Sequence, residues 1–175
     1  MEYEVIDGKG IIPDGTTEIA FQAFKGCNSL QSIEIPDSVT KIGWSAFEGC
    51  TCLQSIEIPD SVTEIEQWAF KGCVSLQSIV IPDSVTEIGR WAFAHCTSLQ
   101  SIEIPDSVTQ IDGSVFCRCN NLTSIIVSKN NSRYKSTNNC ILTKDGKTLI
   151  FCQNHNIPVG VSKIGNKSFM GCNSL

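Results

Sequence analysis

A leucine recurs every 23 residues through the central part of this 175-residue chain, at Leu30, Leu53, Leu76, Leu99 and Leu122. A strict period of this length indicates a solenoid, in which each repeat forms one coil and buries its apolar side chains only against neighbouring coils. Such a stack presents long columns of equivalent side chains at its surface. Columns of this kind favour a binding function over a catalytic one.

The repeats define a single domain. The coil from Leu53 reads LQSIEIPDSVTEIEQWAFKGCVS, and its neighbours match it closely. Partial repeats lie upstream, at Ile12–Cys27, and downstream, at 157–175. A period in the twenties is typical of leucine-rich repeats. We therefore predict one leucine-rich-repeat domain over residues 1–175, with about six coils in a curved, right-handed stack.

Each coil also has a local pattern. In Leu-Gln-Ser-Ile-Glu-Ile, the isoleucines Ile33 and Ile35 share one face of a strand, and Ser32 and Glu34 share the other. The Pro-Asp-Ser that follows is typical of a turn. We predict short parallel strands on the concave face of the solenoid.

The end of each coil has a different spacing. Ala46, Phe47 and Cys50 stand one and three residues apart, which favours a short helical or 3₁₀ turn on the convex side. Gly49 is expected to have a positive φ at the end of that turn. His95 and Arg118 occupy the same place in later coils, so glycine is preferred there without being obligatory.

An insert at residues 129–156 interrupts the sixth coil. Its segment CILTKDGKTLIFC has two apolar runs around Asp145-Gly146. Asp-Gly between strand-like runs predicts a β-hairpin near the C-terminus. The preceding NNSRYKSTNN is polar and is predicted to be a loop.

The pattern L-x-x-I-x-I-P-x-x-V-T-x-I-G-x-x-A-F-x-x-C resembles the BspA-like class of leucine-rich repeats along almost the whole chain. The insert, around 134–151, also resembles a hairpin element of that family. The resemblance implies an extracellular or cell-surface protein with a role in adhesion, host-protein binding or coaggregation. Because the chain starts without a signal peptide and stops at Leu175, where another coil would begin, we expect a fragment of a longer protein.

Composition narrows the classes of partner. The net charge is −5 and the sequence lacks a basic stripe, which argues against nucleic-acid binding. No apolar run approaches the ~20 residues of a membrane helix, so no membrane span is predicted.

Ten cysteines invite a disulfide interpretation. One set shares a repeat position and is predicted to form a reduced, buried ladder, because an unpaired buried cysteine behaves as a small apolar residue. Its members are Cys27, Cys50, Cys73, Cys96, Cys119 and Cys172. Cys140 and Cys152 flank the hairpin, and whether they form a disulfide is left open. Cys117-Arg-Cys119 lacks the further ligands of a zinc site, and we predict no metal and no cofactor.

The principal candidate site is the exposed strand column, the usual binding surface of a solenoid. Glu34 and Glu57 should be direct neighbours, and opposed like charges suggest a cationic partner or a solvated repeat column. The candidate residues are Gln31, Ser32, Glu34, Gln54, Ser55, Glu57, Gln77, Ser78, Val80, Gln100, Ser101 and Glu103.

Two other columns of side chains are alternative candidates for a binding site. A convex aromatic patch formed by Phe21, Trp44, Trp68 and Trp91 is an alternative partner-binding site, or else lateral packing over neighbouring coils. The turn aspartates are expected to cap turns, with calcium binding as the weaker alternative. They are Asp14, Asp37, Asp60, Asp83 and Asp106.

Catalytic chemistry finds no support, because neither His95 nor His155 lies in a recognisable acid–nucleophile arrangement. We predict no catalytic residues and no enzyme. The expected function is a module that binds a protein or a surface glycoconjugate, and the alternative is a structural spacer that displays other domains. We expect a monomer, or weak self-association through uncapped ends or the hairpin edge.

Overall fold

A computed structural model describes residues 3–154 and 156–172. The predictions that involve His155 and Leu175 lie outside these residues. Each turn of the chain has three limbs, defined here on the second turn. The first limb is 30–35, the second limb is 39–42 and the third limb is 43–50.

Short strands recur along the stack. Within the described residues they are β1 (Glu4–Ile6), β2 (Lys9–Ile11), β3 (Glu18–Ile19), β4 (Ser32–Ile33), β5 (Lys41–Ile42), β6 (Glu64–Ile65), β7 (Glu87–Ile88), β8 (Ser101–Ile104), β9 (Gln110–Ile111), β10 (Ser124–Val127), β11 (Tyr134–Thr137), β12 (Cys140–Thr143), β13 (Thr148–Cys152) and β14 (Lys163–Ile164).

The second limbs form a parallel sheet of five strands, in the order β3-β5-β6-β7-β9. Each strand is offset from the next by one repeat, and Ile42 pairs with Ile19 on one side and Ile65 on the other. All three isoleucines are fully buried. This continuous ladder establishes the solenoid of stacked turns with parallel strands that the period predicts.

The prediction that the first limbs carry the strands is only partly correct. Pairing occurs at the two ends of the stack, where β2 pairs with β4 and β8 pairs with β10. Between them the structure records one isolated bridge, Glu34 with Glu57. The alternation of buried Ile33 and Ile35 with exposed Glu34 still holds. Alternation determines which way side chains point, whereas pairing depends on how closely neighbouring turns approach.

The prediction of a short helical or 3₁₀ turn on the third limb is not confirmed. The limb consists of single i→i+3 turns that alternate with bonds to the next coil. The Ala46 N–H donates to the Gly43 carbonyl at 3.1 Å, but the next amide, of Phe47, donates to Ala69 of the following coil at 2.7 Å. A continuous 3₁₀ helix needs consecutive i→i+3 bonds, and the bonds to the following coil interrupt them here.

Positive φ angles make the third limb possible. Gly49 has a φ of 75°, as the sequence predicts. His95 and Arg118 adopt 61° and 60° at the equivalent places, so two non-glycine residues accept the left-handed conformation there.

The core consists of ladders. Five buried phenylalanines stack along the axis, with Phe70 5.2 Å from Phe47 and 5.4 Å from Phe93 between ring centroids. The repeat cysteines are free thiols, as predicted. Their role is more than apolar filling, because each buried thiol donates to a backbone carbonyl of the preceding coil. Cys73 Sγ, for example, lies 3.2 Å from the Phe47 oxygen.

The insert contains three antiparallel strands, β11, β12 and β13. The expectation of a loop over NNSRYKSTNN is therefore wrong at Tyr134–Thr137. Asn131, fully buried, explains the ordering. Its side-chain amide donates to the carbonyls of Pro105 and Val108, and its oxygen accepts from the amides of Arg133 and Tyr134. β13 then pairs with β14, the second limb of the resumed repeat.

A tyrosine hydroxyl closes each end of the five-stranded sheet. At one end, Tyr3 accepts from the Ala20 amide and donates to the Glu18 carbonyl. At the other end, Tyr134 accepts from the Ile111 amide and donates to the carbonyl of Thr109. Tyr3, just before β1, and Tyr134 of the insert thus cap backbone groups at the two edges of this sheet. Self-association through uncapped ends or the hairpin edge stays a prediction. The right-handedness and the curvature of the stack of coils remain predictions.

Candidate functional site

The strand column predicted as the binding site forms a single exposed surface, here called the Gln-Ser-Glu face. Its twelve predicted members are all exposed. They are Gln31, Ser32, Glu34, Gln54, Ser55, Glu57, Gln77, Ser78, Val80, Gln100, Ser101 and Glu103. Backbone hydrogen bonds between successive glutamines of 3.2–3.3 Å, such as Gln77 to Gln54, hold the column in register.

The charged members of this face are all acidic. Glu34 and Glu57 are bridged neighbours, as predicted. Lys9 lies 3.5 Å from Glu34, but both side chains are largely exposed, so the pair contributes little stability. Val80 replaces the glutamate two turns after Glu34 and is 77% exposed, which makes it an apolar exception on the face.

Two grooves open on the Gln-Ser-Glu face, where the first limbs of neighbouring turns are not fully paired. The larger, of about 730 Å³, is lined by residues that include Lys9, Glu34, Asp37, Glu57 and Asp60. The second, of about 600 Å³, is lined by residues that include Ser78, Val80, Asp83, Ser101, Glu103 and Asp106. Both are open and have mixed polar and apolar walls, which suits a macromolecular partner better than an enclosed small molecule.

All five turn aspartates are exposed, and four of them, Asp37, Asp60, Asp83 and Asp106, line these grooves. The turns themselves are fastened by the serine that follows, because Ser61 Oγ donates to the Val39 carbonyl at 2.6 Å and Ser84 repeats the bond to Val62. Among the described residues, no three His, Cys, Asp or Glu side chains group as metal ligands. Within the same residues, no helix has the length and apolar character of a membrane span.

The aromatic residues form one continuous column on the third limb, here called the aromatic column. The ring centroids of Phe21 and Trp44 lie 6.1 Å apart, those of Trp44 and Trp68 5.5 Å, and those of Trp68 and Trp91 5.9 Å. The sequence places the first two at one repeat position and the last two at the next. Trp68 and Trp91 have positive φ angles of 62° and 53°. The four rings form one continuous column of tilted and edge-on contacts, although their repeat positions differ by one residue.

Lysines flank this column. Lys167 Nζ lies 4.3 Å above the Trp91 ring, and Lys71 Nζ lies 5.4 Å from the Trp68 ring. Lys71 also bonds Glu48 at 2.9 Å, and Glu48 bonds Lys25 at 3.0 Å. Burial alone would raise the pKa of Glu48, but hydrogen bonds from Lys71 and Lys25 lower it to about 2. Because the single carboxylate of Glu48 balances only one of the two lysine charges, a net positive charge remains beside the aromatic column.

Sequence reasoning missed a groove of about 370 Å³ at the Trp68–Trp91 end of the column, here called the basic groove. Its lining residues are Trp68, Lys71, Trp91, Ala94, His95, Cys117, Arg118 and Met170. The available signal was the loss of glycine at the same repeat position in two adjacent coils, at His95 and Arg118. Burial, with the nearby cations Arg118 and Lys71, lowers the pKa of His95.

The buried repeat cysteines are not reactive thiols. Cys140 and Cys152 are directly opposed on β12 and β13 and form a disulfide. Burial raises the pKa of Cys50 and of Cys119 to about 12. Thiols at these positions are protonated at neutral pH and unreactive as nucleophiles.

Comparison with known sequences identifies the repeat. The pattern of a BspA-type leucine-rich-repeat region matches six copies over residues 17–142. The chain belongs to the BspA-type leucine-rich-repeat family. No curated protein matches it.

Solved structures extend the family likeness. A leucine-rich cell surface protein from Faecalibacterium prausnitzii A2-165 is 44% identical, with a TM-score of 0.67 over 70% of this chain and 32% of its own length. A leucine-rich-repeat protein of T. pallidum is 32% identical, with a TM-score of 0.66 over 94% of this chain and 78% of its own.

A leucine-rich-repeat protein from Bacteroides ovatus is 26% identical, with a TM-score of 0.59 over 74% of this chain. This BspA-type chain spans 32% of the Faecalibacterium protein and 43% of the Bacteroides one.

Proposed function

We propose that this BspA-type repeat domain is a non-enzymatic adhesion module that binds a protein or a surface glycoconjugate through the Gln-Ser-Glu face. The observation that carries the proposal is the pair of grooves on that face, whose rims repeat serine and carboxylate groups at every turn. A similar protein described as a cell surface protein supports an extracellular or cell-surface location.

The chemistry of the face favours a partner with positive charge. Glu34, Glu57 and Glu103 project into solvent beside the exposed turn aspartates, and Lys9 is the cation that lines the larger groove. A carboxylate-rich surface speeds association with cationic partners and weakens it at high salt. Binding spread over several turns then accumulates from many weak contacts.

The test compares two variants with the same change in net charge. One is Glu34→Lys with Glu57→Lys on the Gln-Ser-Glu face. The control is Glu18→Lys with Glu87→Lys, which are both exposed on the second limb. Each variant and the wild type are assayed against immobilised extracellular-matrix and bacterial-surface proteins, at low and high salt.

We expect the first variant to lose at least tenfold in affinity for any partner found, and the control to retain binding. Equal binding by both variants would refute the assignment of the face. Absence of binding to the whole panel would favour the alternative of a structural spacer.

A further inference from the structure

The basic groove is chemically unlike the Gln-Ser-Glu face. It lies on the third limb and combines apolar surface from Trp68, Trp91 and Met170 with the guanidinium of Arg118. The chain as a whole carries a net charge of −5, so a cationic, partly apolar concavity is a local exception. Tryptophan and arginine are also the side chains most enriched at binding hot spots.

The positive charge of this region is not neutralised by its surroundings. Glu48 is shared between Lys71 and Lys25. Within residues 3–154 and 156–172, Arg118 and Lys167 form no salt bridge. An anionic group entering the groove would therefore meet cations whose charges are still available.

The wall of the groove at Arg118 is tightly packed. The Arg118 backbone amide approaches the sixth turn so closely that a Cβ added to Gly171 would lie 2.6 Å from the Arg118 nitrogen. The Trp91 ring contacts Trp68, at 5.9 Å between centroids, and Lys167, at 4.3 Å. A packed site of this kind loses less conformational entropy when a ligand binds than a loose one does.

The orientation of the rings distinguishes between possible ligands. Sugar rings stack on the open faces of aromatic side chains, but Lys167 Nζ lies 4.3 Å above the Trp91 ring and competes for that stacking position. The partly exposed indoles and the exposed side chain of Met170 remain available, and these suit an aliphatic or aromatic side chain. The nearby cations suit a carboxylate.

We propose that the basic groove binds an acidic peptide segment of a protein partner, with an apolar side chain against the indoles and a carboxylate at Arg118. This site is independent of the Gln-Ser-Glu face. A partner could therefore occupy one surface of the solenoid without blocking the other.

Intrinsic fluorescence gives a local readout, because the three tryptophans of the chain all belong to the aromatic column. The full chain is titrated with a short glutamate-rich peptide that contains one phenylalanine. The same peptide with lysine in place of glutamate tests charge, and chondroitin sulfate tests an anionic polysaccharide. The variant is Arg118→Glu. Its matched control is Arg133→Glu, an exposed arginine in the insert.

We expect the acidic peptide to cause a saturable fluorescence change, with an affinity that falls as salt is added. Arg118→Glu should bind the peptide at least tenfold more weakly, and Arg133→Glu should bind it as the wild type does. The Glu34→Lys, Glu57→Lys variant should bind the peptide normally, which separates this site from the proposed function. Equal binding of the lysine peptide, or equal losses in the two arginine variants, would overturn the proposal. Binding of chondroitin sulfate alone would replace the peptide with a polysaccharide.

Discussion

Truncation of a central core ring, Phe70→Ala, tests the ladder architecture most directly. Phe70 is fully buried, and its ring lies nearly parallel to those of Phe47, at 5.2 Å, and Phe93, at 5.4 Å. Large-to-alanine changes of core aromatics cost about 3–5 kcal/mol. Both flanking rings belong to other coils whose own backbone bonds fix them, so the cavity cannot collapse. Two ring pairs of about 0.5–1.5 kcal/mol each are also lost. We therefore expect about 4–5 kcal/mol, the upper part of the range.

The assay is equilibrium urea unfolding, followed by far-ultraviolet circular dichroism and by tryptophan fluorescence. Coincident transitions are required before a free energy is extracted, because repeat arrays can unfold in parts. Phe70→Leu keeps an apolar side chain of similar volume and should cost less than about 1.5 kcal/mol. A loss below about 1 kcal/mol for Phe70→Ala, at an unchanged m-value, would refute the assignment of Phe70 to a stacked core.

Three further changes probe the other ladders. Glu48→Gln should lower the free energy of unfolding by about 1–2 kcal/mol at pH 7, less than the full pKa shift implies because both lysine partners are more than a third exposed. Since the folded pKa of Glu48 is about 2 and its ordinary pKa is 4.5, that difference should persist above pH 4.5 and vanish as the pH falls towards 2 in acid titrations of both proteins. Tyr134→Phe should lower the free energy of unfolding by about 1 kcal/mol and speed hydrogen exchange at the Ile111 amide, which bonds to the Tyr134 hydroxyl. The Ala20 amide, which bonds to Tyr3, should keep its exchange rate, and unchanged exchange at Ile111 would contradict the capping role of Tyr134. Alkylation at pH 8 should modify exposed Cys52 first, unfolding should expose eight thiols, and reduction should release ten, as counted by mass spectrometry.

The surface properties of the first limb could be predicted from sequence. Alternation in LQSIEI places Glu34 in solvent and Ile33 in the core, and the structure agrees. The strand pairing of that limb could not be predicted in the same way, because only one bridge joins the second and third turns there. Likewise, the polar run before the hairpin gave no sign that Asn131 would be buried and bonded to Pro105 and Val108 of an earlier turn.

The amino-acid pattern alone specifies the period, the buried cysteine ladder and the positive φ at Gly49, because each depends on residues within one repeat or on the same residue in the next. The packing of the turns specifies which limb carries the continuous sheet, how offset tryptophans such as Trp44 and Trp68 join one column, and where Arg118 meets the sixth turn. These features depend on distances between turns. Such distances are set by the packing of the whole stack and by the insert that breaks the repeat, and no local pattern encodes them.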